Sequence, residues 1–479
     1  CSAFSAVRYL DVGRHADDFN GDGYADLIVG AYKQNNPELA EGNAYVYFGS
    51  PTGPATSPDV TLDNPLDQAD GWFGIVASAG DINGDGYADL MVSAYPQDNP
   101  EVDEGTVYVY FGSATGPGTT PDITLDNPLN QAGGSFGHSV ASAGDVNADG
   151  FADLIVGAAS QANPEAGEGV AYVYFGSPTG PRASPDISLD NPTDQAGGRF
   201  GHSVASVGDV NADGYADVIV GAYSQSNPER NEGAAYVYFG SASGPATSPN
   251  TFLDNPLDQE SSRFGVSVAS ASDVNSDGYS DIIVGAHFHD NPEDDEGAAF
   301  LYFGSATGPR TAPDISLDNP LDRTGGQFGI STSAGDVNGD GFADIIVGAR
   351  YQNGGSVYLY LGSTSGPAAV PDVSLDDPLS GLFGQSITNT GDINGDGYTD
   401  IVVGAYLQDN PEVDEGAAHI YFGSTTGPKT TPDISLDNPT DQAGGGFGVS
   451  VARADINDDL RHRACPPCQR RSQGAERSR

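Results

Sequence analysis

The stretch Asp145-Val-Asn-Ala-Asp-Gly-Phe-Ala-Asp153, followed at once by Leu-Ile-Val-Gly-Ala158, carries two structural signals. Oxygen-bearing side chains stand at positions 1, 3, 5 and 9 of the first nine residues, and Gly150 at position 6 permits a sharp turn. The short branched apolar run behind them is typical of a buried β-strand. The stretch therefore predicts an oxygen-rich metal loop that leads directly into a strand.

The pattern D-x-N-x-D-G-[YF]-x-D occurs seven times in the chain, and we call these nine-residue segments the acidic loops. They start at Asp18, Asp81, Asp145, Asp209, Asp273, Asp336 and Asp392. Successive starts are separated by 63, 64, 64, 64, 63 and 56 residues. A near-constant interval over almost the whole chain predicts one repeat array rather than several unrelated domains.

Calcium is the metal that such a loop suits, because Ca²⁺ takes six to eight oxygen ligands in flexible geometry. The side chains at positions 1, 3, 5 and 9 and the backbone carbonyl at position 7 would supply most of them, with water completing the shell. We expect about seven calcium ions with a structural role. The predicted ligands are Asp18, Asn20, Asp22, Tyr24, Asp26, Asp81, Asn83, Asp85, Tyr87, Asp89, Asp145, Asn147, Asp149, Phe151, Asp153, Asp209, Asn211, Asp213, Tyr215, Asp217, Asp273, Asn275, Asp277, Tyr279, Asp281, Asp336, Asn338, Asp340, Phe342, Asp344, Asp392, Asn394, Asp396, Tyr398 and Asp400.

The EF-hand shares the first half of this pattern and is the obvious alternative. It requires Glu at position 12 and a helix on each side of the loop. Position 12 of the third loop is Val156, which lies inside the predicted strand. The EF-hand interpretation is therefore rejected.

The third repeat predicts four short strands, A to D, at residues 136–143, 154–158, 170–175 and 186–189. Gly- and Pro-rich turns separate them. Four strands per unit, repeated radially, are typical of a β-propeller blade. The predicted fold is all-β: a seven-bladed β-propeller of four-stranded antiparallel blades, with calcium-binding loops between strands A and B.

Seven Phe-Gly pairs mark the starts of strand A, and the last of them, at Phe447, has no blade of its own. We expect this C-terminal strand, 447–454, to complete blade 1 within a propeller domain of residues 1–460. An array cut from a longer gene is the alternative.

An eighth loop begins at Asp455 but lacks the Gly and the last Asp, and residues 461–479 are an Arg-rich tail expected to be disordered or non-native. Zinc binding there by His462, Cys465 and Cys468 would lack a fourth ligand.

Composition narrows the classes of partner. The formal net charge is −49, and seven Ca²⁺ would add only +14, so nucleic acid is an improbable partner. No apolar run reaches the ~18–20 residues that span a bilayer. All three cysteines are terminal, so no disulfide framework is expected, and Cys1 begins either a mature lipoprotein or a fragment. Loops of this kind fill at calcium levels outside the cell, which favours an extracellular or cell-surface protein.

Each repeat contains, in order, F-G, D-x-N-x-D-G-x-x-D, V-G-A and Y-x-Y-F-G, with small variations. In this the chain resembles, over about residues 16–459, the FG-GAP repeats of the integrin α-subunit N-terminal propeller. The resemblance implies a calcium-stabilised propeller that binds a protein or glycan in adhesion or recognition. All seven repeats carry the full loop, whereas integrins fill only some, and no inserted domain is visible. A free-standing FG-GAP protein therefore fits better than a true integrin chain.

Strand alternation places the A–B and C–D loops on one face, and the B–C and D–A loops on the other. We expect a partner on the second face, since calcium on the first is interpreted as structural rather than ligand-bridging. The sixth repeat has a B–C loop (residues 350–355) and a D–A connection (376–382) that are five and three residues shorter than their counterparts. The resulting notch, with Arg350 and Tyr351, is the predicted partner-binding site.

Catalysis is not expected, because a repeat array offers many equivalent carboxylates and few unique groups. The exceptions are His138 and His202 in adjacent A strands, and His287 with His289 in one B–C region. Equivalent positions elsewhere hold other residues, so these are interpreted as tolerated substitutions. A calcium-dependent polysaccharide lyase or hydrolase on a propeller scaffold is the alternative, and a purely structural surface protein is a third class.

Overall fold

The computed structural model describes residues 18–453, apart from Pro378 and Ser380. Its 28 strands, β1 to β28 in chain order, form seven four-stranded sheets. Blades 1 to 4 comprise, in the order A to D, Phe447–Arg453, Leu27–Ala31, Asn43–Tyr47 and Val60–Asp63; Ile75–Gly80, Asp89–Ala94, Thr106–Tyr110 and Ile123–Asp126; Phe136–Gly144, Asp153–Ala158, Val170–Tyr174 and Ile187–Asp190; Phe200–Gly208, Asp217–Ala222, Ala234–Tyr238 and Thr251–Asp254. Blades 5 to 7 comprise Ser267–Ser272, Asp281–Ala286, Ala298–Tyr302 and Ile315–Asp318; Phe328–Gly335, Asp344–Ala349, Ser356–Tyr360 and Val373–Asp376; Ser386–Asn389, Ile401–Ala405, Ala417–Tyr421 and Ile434–Asp437.

Every blade is antiparallel, and strand A is its innermost strand. In blade 3, Val156 of strand B faces Val140 of strand A on one side and Tyr172 of strand C on the other. Strands B and C are buried along their whole length in all seven blades, because neighbouring blades pack on both of their faces. Each outer D strand has a buried third residue between two more exposed neighbours. The predicted seven-bladed propeller of four-stranded blades is confirmed.

Blade 1 joins the two ends of the described chain. Its strand A is β28, Phe447–Arg453, which pairs with β1 so that Val451 faces Val29. The predicted domain bounds stay a prediction, because Cys1, the incomplete eighth loop and the Arg-rich tail lie outside the described residues.

The hydrophobic core is a ring of inter-blade clusters rather than one centre. Each cluster combines side chains of neighbouring blades, and the one with Leu27 and Val402 joins blade 7 to blade 1. A buried Phe marks the start of each inner strand; Phe200 lies 5.6 Å from the ring of Tyr236 and 6.4 Å from that of Tyr238. The described part of the chain contains no helix long and apolar enough to cross a bilayer.

Candidate functional site

The acidic loops are held in shape by their own side chains. In the third loop, Asp145 accepts hydrogen bonds from the amides of Asp149 (3.0 Å) and Gly150 (2.9 Å). Asn147 accepts one from Asp149 (2.8 Å), and Asp149 accepts one from Phe151 (3.1 Å). The position-1 bonds recur in all seven loops. The spacing of Asp and Asn therefore folds each loop into a tight turn.

The Asp at position 9 ties the loop to the rest of its blade. Asp153 is buried, and its two oxygens accept the amides of Val146 (3.0 Å) and, in the C–D turn, Gly176 (2.9 Å). Burial raises the pKa of Asp153 to about 8, the two hydrogen bonds oppose that rise, and the nearby carboxylates of Asp149 and Asp145 add to it. The same two bonds occur in each blade.

The donor set of each loop fits a calcium ion. It has three carboxylates, one amide oxygen and the carbonyl at position 7, which are the hard oxygen ligands that Ca²⁺ takes. The three ion pairs found among the described residues all lie at C–D turns (Arg182–Asp186, Arg310–Asp314 and Lys429–Asp433), so none of them neutralises a loop. Within residues 18–453 no three His, Cys, Asp or Glu side chains already converge as a metal-binding group, since the loop carboxylates face backbone amides.

Backbone hydrogen bonds connect the acidic loops into what we call the loop belt. In each loop the position-8 amide donates to the position-1 carbonyl oxygen of the preceding loop, as from Ala152 to Asp81 at 3.1 Å. The other six pairs are Ala25 to Asp392, Ala88 to Asp18, Ala216 to Asp145, Ser280 to Asp209, Ala343 to Asp273 and Thr399 to Asp336. These bonds leave no signature in side-chain spacing, so the sequence did not predict them.

The opposite face carries a continuous run of rings around the channel mouth, which we call the aromatic arc. It comprises Tyr32, Trp72, Tyr95, His138, His202 and Tyr223. Successive ring centroids are 5.6, 5.6, 5.2, 4.7 and 4.1 Å apart, from blade 1 to blade 4. All six side chains are partly exposed. The arc lies where strands B end and strands A begin, on the face of the B–C and D–A loops.

Cationic side chains accompany this arc. Lys33 lies 4.9 Å from the ring centre of Tyr32, and Arg263 lies 5.0 Å from that of Tyr223. Arg199 is close enough to His138 to oppose its protonation. The net charge of the chain is −49, so these cationic side chains form a small positive region on a strongly negative protein.

The two residues predicted for partner binding lie farther around the same mouth. Tyr351 is 47% exposed. Arg350 donates to Gln327 from Nε and to Gln385 from Nη1, both at 2.6 Å, and its guanidinium lies 5.0 Å from the Tyr351 ring centre. Arg350 thus connects the segments that lead into strands A of blades 6 and 7. Of the two side chains, Tyr351 is the more exposed to solvent.

The histidines occupy packed positions. His138 Nδ1 lies 3.3 Å from the carbonyl oxygen of His202, and burial lowers the pKa of both rings. Burial lowers the pKa of His287 to about 3, with Arg350 and Arg263 adding to the effect, and also lowers that of His289. All four rings are therefore predominantly neutral at pH 7.

The central channel contains an open cavity of about 330 Å³, lined by His202 and by serines of several blades. The hydroxyl of Ser139 donates to Gly201 at 2.9 Å, and that of Ser203 donates to Gly265 at the same distance. Ser267, Ser331 and Ser386 make the corresponding bonds. These hydroxyls are thus used to join neighbouring inner strands.

Comparison with known proteins extends these observations. An FG-GAP repeat model matches residues 136–174, 200–238, 264–302, 328–360 and 383–421, and an FG-GAP-like repeat model matches 18–92. Together they cover more than half of the chain.

Three curated relatives, all integrin α subunits, are each similar to part of this chain. Mouse integrin alpha-IIb is 41% identical over 157 residues, which are 32% of this chain and 15% of the relative. Human integrin alpha-7 is 35% identical over 182 residues (37% and 15%), and Drosophila melanogaster integrin alpha-PS3 is 34% identical over 238 (47% and 19%). The chain thus spans less than a fifth of the length of each.

Among solved structures, the Dos1 propeller covers 73% of this chain and 70% of its own, at 12% identity and a TM-score of 0.41. The V. cholerae biofilm matrix protein Bap1 covers 63% and 39%, at 13% identity and a TM-score of 0.33. The repeat matches and the seven-bladed ring together make this chain a member of the FG-GAP repeat family that resembles the N-terminal propeller of integrin α subunits.

Proposed function

We propose that this propeller is a recognition or adhesion module that binds a protein or glycan ligand without catalysis. The ligand would bind on the face of the B–C and D–A loops, at the channel mouth. The observation that carries the proposal is the aromatic arc, six partly exposed rings in unbroken contact across four blades.

The arc has the chemistry of a binding surface. Aromatic rings offer large contact areas at a small cost in side-chain entropy, and they stack on sugar faces or on apolar side chains. Their packing against one another keeps them in place before a ligand arrives, which reduces the cost of binding. Lys33 and Arg263 beside the rings would hold an acidic group of the ligand.

The notch residues would extend this surface. Tyr351 is exposed enough to contact a ligand, whereas Arg350 donates two hydrogen bonds to residues of blades 6 and 7. We therefore assign contact to Tyr351 and the positioning of its ring to Arg350.

About seven Ca²⁺ ions in the acidic loops would stabilise the ring from the other face. Without a cation, each loop holds carboxylates near one another, and this repulsion contributes to the raised pKa of Asp153 and its equivalents. Because such loops fill where calcium is plentiful, the proposal includes an extracellular or cell-surface location.

The test is binding of the calcium-loaded protein to a glycan array and to a peptide array. Tyr95→Ala and Tyr351→Ala should each weaken binding to the same ligand at least about tenfold, the loss expected for an anchoring aromatic residue. Arg310→Ala, on the calcium-loop face, should leave it unchanged. Binding that survives both Tyr substitutions would contradict the assigned face.

The enzyme alternative makes a different prediction for any glycan that binds. A lyase or hydrolase would shorten the chain and produce new ends, and a His202→Ala variant would not. We expect the wild-type protein to leave the glycan intact over a day of incubation.

A further inference from the structure

The B–C loops of six blades carry the motif N-P-E-x-x-E-G, and its second Glu is buried every time. These residues are Glu41, Glu104, Glu168, Glu232, Glu296 and Glu415, and each is 0% exposed. Neither carboxylate oxygen of any of them has a hydrogen-bond partner. The first Glu of the motif is exposed in all six loops. A buried, unpaired acid repeated six times requires a compensating group, since burying it alone is costly.

A second carboxylate lies near each buried Glu. In blade 2, Asp126, the last residue of strand D, pairs with Thr106, two residues after Glu104. Burial raises the pKa of Glu104 to about 7, and Asp126 raises it further. The nearby backbone amides of Glu101 and Asn99, which fall short of hydrogen-bond geometry with this carboxylate, oppose the rise only in part. The corresponding Asp has the same effect in the other five blades.

An amide side chain completes what we call the rim pocket: the buried Glu, the Asp that ends strand D and the Asn of the N-P-E motif. Asn99 Nδ2 donates to Asp126 Oδ1 at 3.3 Å, and Asn227 Nδ2 donates to Asp254 Oδ2 at 2.9 Å. With its Nδ2 so used, the Asn keeps its carbonyl oxygen as an acceptor. Each pocket therefore collects several oxygens, and none of the ion pairs among the described residues reaches it.

Blade 6 shows the arrangement without the Glu. Its shortened B–C loop lacks the motif, and the hydroxyl of Ser356 donates to Asp376 Oδ1 at 2.7 Å instead. Where the Glu is missing, a neutral donor satisfies the Asp that ends strand D. In the other six blades a buried carboxylate accompanies this Asp, although the Asp accepts from a neutral donor there too, as from Asn99 in blade 2 and Asn227 in blade 4.

We propose that each of the six rim pockets binds a divalent hard cation, Ca²⁺, and that these ions form a second ring of metal sites on the ligand-binding face. Carboxylate and amide oxygens from a loop and a strand end suit the flexible shell of Ca²⁺ better than the octahedral shell of Mg²⁺. The ions would join each B–C loop to its strand D and so fix the loops that surround the aromatic arc. Thirteen ions in all would also offset more of the −49 charge than the seven loop ions alone.

The test is the number of Ca²⁺ ions that the full chain binds, measured by equilibrium dialysis against radioactive calcium. The wild-type chain should bind about thirteen, seven in the acidic loops and six in the rim pockets. The triple variant Glu104→Gln, Glu168→Gln, Glu232→Gln keeps side-chain size, removes three buried charges and should bind three fewer ions. The matched control, Glu101→Gln, Glu165→Gln, Glu229→Gln, removes three exposed charges from the same loops and should bind as many as wild type.

Thermal melting gives a second readout. In calcium the Gln triple should melt below its control, whereas in chelator it should melt at the same temperature or higher, because an unpaired buried charge is gone. Excess Mg²⁺ should not displace the ions. A wild-type count near seven, or a triple variant that binds as much calcium as its control, would show that the buried Glu side chains are merely protonated and would overturn the proposal. The number of ions bound by the wild-type chain tests the proposal even if the triple variant fails to fold. A wild-type count of six that falls to three in the triple variant would support the rim pockets and contradict calcium binding in the acidic loops.

Discussion

The backbone amide of Ala25 donates a hydrogen bond to the carbonyl oxygen of Asp392, 3.1 Å away, and this bond joins the first acidic loop to the seventh. Because six equivalent bonds link the other loops, the belt has no free end. The same two blades are joined a second time, through strand β28 of blade 1 and the hydrophobic cluster shared with blade 7. Ring closure thus rests on contacts between residues far apart in the chain, which predicts that the two ends are energetically coupled.

Replacing Phe447 with Ala tests this closure. Phe447 is fully buried, and its ring lies 5.7 Å from that of Tyr45, which belongs to the N-terminal part of the same blade. The substitution should lower the free energy of unfolding by about 3–5 kcal/mol, the cost of truncating a buried Phe, as measured by urea denaturation. Phe200→Ala is the matched control, because Phe200 makes the same contact in a blade of consecutive strands. A much smaller loss for Phe447→Ala would show that strand β28 does not close the ring.

Asp209→Asn tests calcium as a structural ion. The substitution removes one carboxylate from the fourth loop. Asn keeps one acceptor oxygen, so it can retain only one of the two bonds that the Asp209 oxygens accept from the amides of Asp213 and Gly214. We expect one fewer bound Ca²⁺ and a lower melting temperature in calcium, with a loss of up to about 2.7 kcal/mol at calcium a hundredfold above the dissociation constant. In chelator the loss should be smaller, about 1 kcal/mol for the one hydrogen bond that Asn cannot accept. Equal destabilisation in both conditions would assign Asp209 a purely backbone-capping role.

Local pattern was sufficient to predict the strands and their order. The strands predicted for the third repeat at 136–143, 154–158, 170–175 and 186–189 differ by at most one residue at each end from the observed Phe136–Gly144, Asp153–Ala158, Val170–Tyr174 and Ile187–Asp190. Turn chemistry and strand periodicity act over a few residues, so one repeat carries the information for its own blade.

Contacts between blades could not be predicted in the same way. Tyr95 directly follows strand B of blade 2, and His138 is the third residue of strand A of blade 3, so their contact depends on the rotation between blades and not on either motif. The loop belt consists of backbone bonds that any residue except Pro can make. Glu104 lies in a segment whose polar composition predicts exposure to solvent. Its burial results from the way the loop folds around it.

His287→Tyr should reduce the acid sensitivity of the protein. The pKa of His287 is lowered to about 3 by burial, so the unfolded chain, with a His pKa near 6.5, binds a proton that the folded chain does not. Stability contributed by the neutral ring is therefore present above pH 6.5 and is lost as pH falls toward 3, by roughly 2 kcal/mol at pH 5. Tyr occurs at the equivalent position of other repeats, as Tyr95 and Tyr223.

The measurement is the difference in unfolding free energy between pH 7 and pH 5 for the variant and for wild type, both in saturating calcium. The wild-type difference should exceed that of the variant by the amount given above. Parallel pH profiles would mean that His287 ionises in the folded protein as it does in the unfolded chain.

Two glycines of the seventh acidic loop should differ in their tolerance of Ala. Gly397, at position 6, has a φ of +92° and donates its amide to Asp392 at 2.7 Å, and nothing lies within 4 Å of an added Cβ. Gly395, at position 4, has a φ of +75°, and an added Cβ would lie 2.5 Å from the Tyr24 ring. Equivalent loops carry Ala148 and Ala212 at position 4, with φ of 56° and 57°. Position 4 thus accepts Ala once the neighbouring ring moves, whereas the φ of position 6 lies beyond the left-handed region that Ala adopts.

Gly397→Ala should therefore cost more stability than Gly395→Ala, about 1–2 kcal/mol against less than about 1 kcal/mol. Since the strain at Gly397 displaces an amide from Asp392, this variant should also bind one calcium ion more weakly, whereas Gly395→Ala should retain all of them. Urea denaturation and calcium titration of the two variants give both values. If Gly395→Ala proved the costlier change, the packing of Tyr24 on the seventh loop, and not the backbone of position 6, would set the geometry of the acidic loops.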